Sequence, residues 1–223
     1  AGRQPRIEEN EMTVRRLKYE LFDVTSGAML DSGTISALTS EQVADSSDKA
    51  VKTAKIKLSA ELNEGTEYSV KITLVTSNSK RVYYYTRVKL YTKGWLTQKL
   101  DYVRWFRDSA INKVNQESVE KNLETKSNSD RSSFAYTDIY SSWNMVSWGD
   151  LQPQIVTELP PMITDFYEGT ASVVLSYVVE MDAGSGMEQY LVREAFRFLY
   201  TEIRTYLYNY EREVEAIYDV GHT

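Results

Sequence analysis

The 223-residue sequence contains no cysteine and a single histidine. Without cysteine the chain has no disulfides, thiol nucleophiles or zinc–thiolate sites. The histidine, His222, stands one residue from the C-terminal end, where chains commonly fray. Catalysis by a serine–histidine pair and metal binding by several histidines are therefore not expected.

Motifs of nucleotide and metal chemistry are also missing. The sequence has no phosphate-binding glycine loop, nucleophile elbow or dinucleotide fingerprint, and its "DAGSG" is too short for a calcium loop. The spacing of its carboxylates selects no close pair of the kind that a glycosidase uses. We therefore expect no catalytic residue, no metal and no cofactor, which favours a role other than catalysis.

The charge and the hydrophobic pattern limit the partners. A formal net charge of −6 and a pI near 5.1 argue against binding to nucleic acid or anionic membranes. No stretch approaches the roughly 18 apolar residues of a membrane-spanning helix, so we expect no membrane insertion within this segment. The opening "AGRQPRIEEN" lacks a signal-peptide core, and its first alanine fits either an excised segment of a longer protein or a processed N-terminus. Chains without cysteine occur in the cytosol and on Gram-positive surfaces.

Residues 14–93 alternate between apolar and polar side chains, with turn signals between the runs. This pattern is typical of an antiparallel β-sandwich. In "RLKYELFDV", Leu17, Tyr19 and Leu21 share one face, and "TAKIKLSAEL" repeats the alternation. Residues 1–13 are predicted to be a flexible N-terminal segment.

The stretch "RVYYYTRVKLY" begins at Arg81 and contains three consecutive tyrosines. Alternation predicts that Tyr84 faces the sandwich core, whereas Tyr83 and Tyr85 face outward beside arginines. Two interpretations of the outward face remain open. Tyrosine is a good strand former on which arginine stacks, so the face could simply cover the sheet, or it could be a binding surface.

The run "LNEGTEYSVKI" resembles the fibronectin type III pattern, through Leu62, Gly65, Tyr68 and Val70. The resemblance implies an immunoglobulin-like (Ig-like) sandwich, in which the hydroxyl of Tyr68 bonds back across a corner between strands. The tryptophan that this family carries on an early strand is absent here.

At Gly94 and Trp95 the spacing of apolar residues changes from the period of two typical of strands to that of a helix. From residue 96 to 114 the apolar residues recur at helical spacing, which predicts a helix of about five turns with Thr97 as its N-cap. Arg107 falls within the apolar face and needs a carboxylate partner if it is buried, for which Glu194 and Asp165 are the candidates.

In the last third of the sequence, apolar and polar side chains alternate strongly. "TASVVLSYVVEMD" and "MEQYLVREAFRFLY" predict two strands joined by a hairpin at "AGSG". In the second strand, Tyr190, Val192, Phe196 and Phe198 share one face, and Arg193 and Arg197 share the other. Residues 196–218 also fit one long amphipathic helix. Their density of tyrosine and phenylalanine favours strands to about Tyr210, followed by a helical turn near 213–218.

One helix followed by long antiparallel strands rich in aromatics, over residues 96–218, resembles the NTF2-like and cystatin-like folds. We therefore predict two domains: an all-β Ig-like sandwich at 14–93, and an α+β domain at 94–223 in which a long helix packs on a curved antiparallel sheet. NTF2-like enzymes usually place a histidine and an aspartate in the cone of the sheet, and no histidine is available there. The pairing of domains resembles surface proteins of Gram-positive anaerobes, which implies an extracellular or cell-surface location in a bacterium.

The segment "FAYTDIYSSWNMVSWGD" is the most distinctive aromatic run. Aromatic rings with Asp, Asn and Ser nearby suit stacking on sugar rings, although the rings could equally line the domain core. The predicted ligand-binding residues are Tyr83, Tyr85, Tyr136, Tyr140, Trp143 and Trp148.

The predicted function is a non-catalytic extracellular or cell-surface module that binds a glycan or a peptide. The alternative is an NTF2-like small-molecule enzyme or sensor that uses carboxylates and tyrosines in the cone of the second domain. A deep pocket with Asp or Glu beside Tyr would favour the alternative, whereas a closed apolar cone would argue against it.

Overall fold

A computed structural model describes residues 6–8, 13–42, 50–182, 184 and 186–217. The chain forms two compact units, Ala1–Thr92 (unit 1) and Lys93–Thr223 (unit 2). Most of the predicted flexible segment 1–13 lies outside the described residues, as does His222. None of the helices in the described ranges is long and apolar enough to cross a membrane.

The described part of unit 1 consists of strands and loops. Its strands are β1 (Arg6–Glu8), β2 (Val14–Asp23), β3 (Met29–Ile35), β4 (Thr39–Gln42), β5 (Ala50–Thr53), β6 (Glu67–Thr76) and β7 (Arg81–Lys89). The larger sheet is antiparallel and has the order β3-β2-β6-β7, while β1, β5 and β4 form a smaller one.

The core of unit 1 lies on one face of the larger sheet. Leu17 and Leu21 of β2 are fully buried there, with Val70 of β6 beside them in the same cluster. Residues 54–62 cover this face with alternate apolar side chains, although they form no strand. Tyr68 accepts a hydrogen bond at its hydroxyl from the backbone N–H of Asn63, 2.9 Å away. That is the corner contact which the resemblance to fibronectin type III implies, and the family assignment itself stays a prediction.

Gly33 of β3 lies against the ring of Tyr19, its cross-strand partner on β2. A Cβ atom at position 33 would stand 2.6 Å from Cε1 of Tyr19. Because Tyr19 is buried and cannot move away freely, we expect Gly33→Ala to lower the free energy of unfolding by about 1–3 kcal/mol. Urea titration of the variant tests this, with Ser32→Ala on the exposed face as the control; an equal loss in both would contradict it.

The predicted burial of Tyr84 is wrong. The side chain of Tyr84 is 54% exposed, and Val82 on the same face is 38% exposed. The strand β7 lies at the end of its sheet, and the residues that cover β2 and β6 do not bury its middle part. Alternation therefore identified which side chains share a face, but within the described residues no second layer covers the part of that face around Tyr84.

Unit 2 contains the described helices and the three longest of the described strands. Its elements are α1 (Leu96–Asn112), α2 (Gln116–Glu120), β8 (Tyr136–Asp138), α3 (Trp143–Val146), β9 (Gln154–Glu158), β10 (Met162–Phe166), β11 (Thr170–Asp182), β12 (Met187–Tyr200) and β13 (Thr205–Ala216). The antiparallel sheet has the order β10-β11-β12-β13-β8, and β9 also pairs with β11.

The predicted fold class is wrong for the second half. Strands make up 49% of the residues and helices 14%, so the protein is mostly β, and the three described helices are short where a long one was predicted. A helix does begin at Leu96, but it ends after 17 residues, and Thr97 is not its cap because Trp95 holds that position. Most of the strand residues of unit 2 lie in β11, β12 and β13, and residues 136–166 add three short strands that loops and prolines divide.

The strand interpretation of the last third is confirmed. Strands β12 and β13 pair from Tyr190↔Ala216 to Tyr200↔Thr205, which excludes the long helix. The predicted helical turn near 213–218 is wrong over its described part, because β13 runs to Ala216. Val192, Phe196 and Phe198 are buried on one face of β12, as their alternation predicted.

Candidate functional site

Three consecutive tyrosines of β7 are exposed on both faces of the sheet. Tyr83, Tyr84 and Tyr85 are 50%, 54% and 70% exposed. Soluble proteins bury most of their large aromatic side chains, at least in part, so an uninterrupted exposed run suggests contact with another molecule. We call these three residues the tyrosine edge.

On one side, the backbone of the tyrosine edge has no neighbouring strand among the described residues. Among the described residues, β7 has β6 as its one strand neighbour in the sheet. In an antiparallel pair, every second residue directs its N–H and C=O away from the partner strand. With respect to the described strands, the middle of β7 therefore presents unpaired main-chain groups between exposed aromatic rings. This open stretch ends at a bridge between Leu90 and Glu64, just past the strand.

A groove of about 360 Å³ runs over the outer face of the same sheet and reaches Tyr83. Lys18, Thr73 and Tyr83 lie in one cross-strand row over β2, β6 and β7. Three cations, Lys18, Lys71 and Arg81, line the groove together with one carboxylate, Glu20.

That carboxylate is already engaged. Glu20 forms a salt bridge of 3.0 Å with Lys71, whose ammonium also lies 5.4 Å from the ring centroid of Tyr83. The charge that remains in the groove is therefore positive, which suits an anionic ligand.

The other predicted ligand-binding residues lie in unit 2, and cations cover the rings of two of them. The guanidinium of Arg131 stands 4.3 Å from the ring of Tyr136, and the ammonium of Lys126 stands 3.4 Å from that of Tyr140. Trp143 begins α3 and packs partly against the core. These contacts favour the interpretation that the aromatic rings pack within unit 2 over the interpretation that they stack on a sugar.

Trp148 lies in the core of unit 2 and is fully buried. The guanidinium of Arg212 stacks on its ring at 3.8 Å. Arg212 is also fully buried, and it donates to the carbonyls of Met145 and Val146 at 2.8 and 2.7 Å and to the Thr137 hydroxyl at 3.0 Å. Trp148, which was predicted to bind a ligand, therefore has no exposed surface in the described structure, and its ring packs against Arg212.

A buried carboxyl group lies nearby. The hydroxyl of Tyr210 donates to Oε1 of Glu194 at 2.8 Å, and both residues are fully buried. The hydroxyl of Tyr177 is close enough to interact with the carboxyl group, but among the described residues neither it nor Oε2 has a partner with hydrogen-bond geometry. A proton on Oε2 would supply the missing donor.

Burial raises the pKa of Glu194, and Arg212 and Tyr210 oppose that rise. Above the ordinary glutamate pKa, the unfolded chain is ionised while folded Glu194 stays protonated, so stability falls as pH rises through the folded pKa. We expect Glu194→Gln to remove this fall, which makes the variant more stable relative to the parent at pH 7 than at pH 4. Urea titrations at the two pH values test this, with Glu202→Gln as the exposed control. An equal difference at both pH values would contradict it.

The sequence predicted a carboxylate partner for Arg107, and the structure identifies it as Glu158. Arg107 is buried and donates to Oε1 of Glu158 at 2.7 Å and to Oδ1 of Asp108 at 2.8 Å. Neither of the two candidates, Glu194 and Asp165, makes this contact. Glu158 lies on β9, a strand that the sequence did not predict.

Sequence reasoning missed Arg212 and did not recognise Glu194 as part of a buried pair. Both share the inward face of their strands with apolar residues, Arg212 with Tyr210 and Glu194 with Phe196. A charged residue at an inward position of an alternating strand was the available signal.

Comparisons with known proteins find neither a matching family model nor a matching curated protein. The function is therefore argued from the geometry of the chain.

Proposed function

We propose that the chain is a non-catalytic binding module that takes up an extended, acidic polypeptide segment along β7. The observation that carries this proposal is the tyrosine edge, in which three exposed aromatic residues lie on a strand with an open backbone side. Proteins that bind peptides by strand addition offer such an edge: main-chain hydrogen bonds give affinity, and the side-chain surfaces beside it give specificity.

The partner is expected to be acidic because cations surround the tyrosine edge. Arg81 and Lys18 line the groove on the outer face together with Tyr83, whereas Lys71 is paired with Glu20. Alternate side chains of an added strand would lie over that face, where carboxylates meet these cations and aliphatic groups meet the rings. Exposed tyrosines also supply large contact areas at a low entropic cost.

The same charges disfavour pairing between two copies of the chain. An antiparallel pair of β7 strands centred on Tyr84 would place Arg81 of one copy opposite Arg87 of the other. Like charges directly opposite each other destabilise a strand pair, and charged residues on exposed edges commonly prevent association. The proposal therefore names a different, acidic chain as the partner.

A small-molecule enzyme or sensor in unit 2 is the second candidate. The observation in its favour is Glu194 beside Tyr210, the combination expected of such a site. Both groups are fully buried, so a substrate would need an opening that the described residues do not provide. Location at the outer surface of a Gram-positive cell stays a prediction, and it suits a module that captures extended segments of other proteins.

Fluorescence anisotropy with labelled peptides tests the proposal. The probe is a ten-residue peptide that alternates glutamate with valine, and the comparison peptide carries lysine in place of glutamate. We expect saturable binding of the acidic peptide, at least about tenfold tighter than the basic one, and weaker at higher salt.

Variants locate the binding surface. The pair Tyr83→Ser and Tyr85→Ser is expected to weaken binding of the acidic peptide by about tenfold or more. Tyr208→Ser changes an equally exposed tyrosine of unit 2 and should leave the affinity unchanged. Equal binding of both peptides, or equal losses in the two variants, would overturn the proposal.

A further inference from the structure

Unit 2 has a surface cleft of about 380 Å³ beside α1. Its walls come from α1, from the residues at the end of α2, and from the turn between β12 and β13. Its volume falls within the range of small-molecule sites. The residues that define its chemistry are Tyr102, Trp105, Lys121, Asn122 and Arg204.

One side of the cleft is aromatic. The rings of Tyr102 and Trp105 lie 5.8 Å apart with an angle of 31° between their planes. Phe198 of β12 supports Tyr102 from the core side, at a centroid distance of 5.2 Å. The aromatic wall is therefore rigid, and it offers an apolar surface to a flat or ring-shaped ligand.

The opposite side carries positive charge. Lys121 and Arg204 both line the cleft, and none of the described lining residues is acidic. Because Lys121 is paired with Glu117 at 2.8 Å, the positive charge left for a ligand is that of Arg204. Arg204 is held in place by a hydrogen bond of 3.1 Å from Nη2 to the carbonyl of Lys121 and by the ring of Tyr206, 4.9 Å away. An oriented guanidinium is well suited to a carboxylate, which it can bind through two parallel hydrogen bonds.

The hydroxyl of Tyr102 is buried and has no hydrogen-bond partner within the described residues. Burial raises the pKa of Tyr102, so the hydroxyl remains a proton donor at neutral pH, although Arg204 opposes that rise. A buried donor without a partner destabilises the fold, and a ligand group that reaches it removes this cost. Asn122 and Thr205 add further polar groups at the rim.

We propose that this cleft binds an acidic sugar, in which the ring stacks on Tyr102 and Trp105 while the carboxylate pairs with Arg204. The hydroxyl and amide groups of the cleft match the hydroxyls of a sugar better than the bare ring of an aromatic acid. The site lies in unit 2 and takes a different class of ligand from the tyrosine edge of unit 1. The outcome of a sugar-binding test is therefore independent of whether the chain binds an acidic peptide.

Isothermal titration calorimetry of the whole chain with trigalacturonate tests this, with maltotriose as the neutral trisaccharide. We expect saturable binding of the acidic sugar and none of the neutral one. Arg204→Gln should weaken binding about tenfold or more, because it removes the charged hydrogen bonds to the carboxylate. Arg193→Gln, a half-exposed arginine elsewhere on unit 2, is the matched control and should bind like the parent.

Tyr102→Phe separates a binding role from a structural one. If the hydroxyl donates to the sugar, this variant binds more weakly, yet its resistance to urea is equal to or greater than that of the parent, because an unpartnered buried group has been removed. Absence of saturable binding by trigalacturonate, equal binding of maltotriose, or equal losses in Arg204→Gln and Arg193→Gln would each overturn the proposal.

Discussion

Replacement of Arg212 by methionine is expected to lower the free energy of unfolding by roughly 3–5 kcal/mol. Arg212 donates to two carbonyls of α3 and to the hydroxyl of Thr137, and it stacks on Trp148. Methionine retains much of the volume of the arginine side chain, so the loss of stability would reflect the missing polar contacts. The carbonyls of Met145 and Val146 would become buried acceptors without this donor.

The variant also removes a buried cation near Glu194. Arg212 is the largest influence that lowers the pKa of Glu194, so without it Glu194 is held more firmly in the protonated form. Urea unfolding followed by circular dichroism measures the change. Arg197→Met on the exposed face of β12 is the matched control, and a change of less than about 0.5 kcal/mol is expected there. Similar small losses in both variants would show that Arg212 does not hold α3.

Phe106→Ala is expected to cost roughly 3–5 kcal/mol, because it opens a cavity at the centre of the core of unit 2. The ring of Phe106 meets Tyr210 at a centroid distance of 4.8 Å and meets Phe196 edge-on at 5.5 Å. These contacts fix α1 to strands β12 and β13. The two partner rings also contact each other at 5.2 Å, so the neighbourhood is too rigid to collapse into the space.

The measurement for Phe106→Ala is again urea unfolding, with Leu96→Ala as the control on the same helix. Leu96 is exposed and makes no part of the buried cluster, so its removal should cost less than about 1 kcal/mol. A cost for Phe106→Ala that does not exceed that of Leu96→Ala would contradict the proposed arrangement of the core.

Alternation predicted the faces of long strands well. Leu17 and Leu21 of β2 and Phe196 and Phe198 of β12 are buried as expected, because a period of two follows directly from strand geometry. The same rule failed at Tyr84. Periodicity identifies which side chains share a face, but burial depends on whether another layer covers that face, and the coverage of β7 depends on distant parts of the chain.

The class of unit 2 was mispredicted for a related reason. The apolar spacing from Leu96 is strongly helical and dominated the interpretation, whereas Gly149, Pro153, Pro160 and Pro161 interrupt the segment that forms β8 to β10. Short strands acquire their structure from pairing with β11 and β13 more than from their own sequence.

The candidate sites were predictable only in part. Tyr83 and Tyr85 were recognised because three tyrosines in sequence cannot all face inward on one strand. The cleft beside Tyr102 was not recognised, because Arg204 lies about a hundred residues from Trp105 and only the fold brings them to one surface.

Hydrogen exchange of the β7 amides is the most direct test of the central claim that the tyrosine edge accepts an added strand. On saturation with the glutamate–valine peptide, we predict that alternate amides within residues 81–86, those directed away from β6, exchange at least about tenfold more slowly. The intervening amides, which already face β6, should change little. Binding of the peptide without this alternating protection would contradict strand addition, because side-chain contacts alone leave the backbone of β7 open.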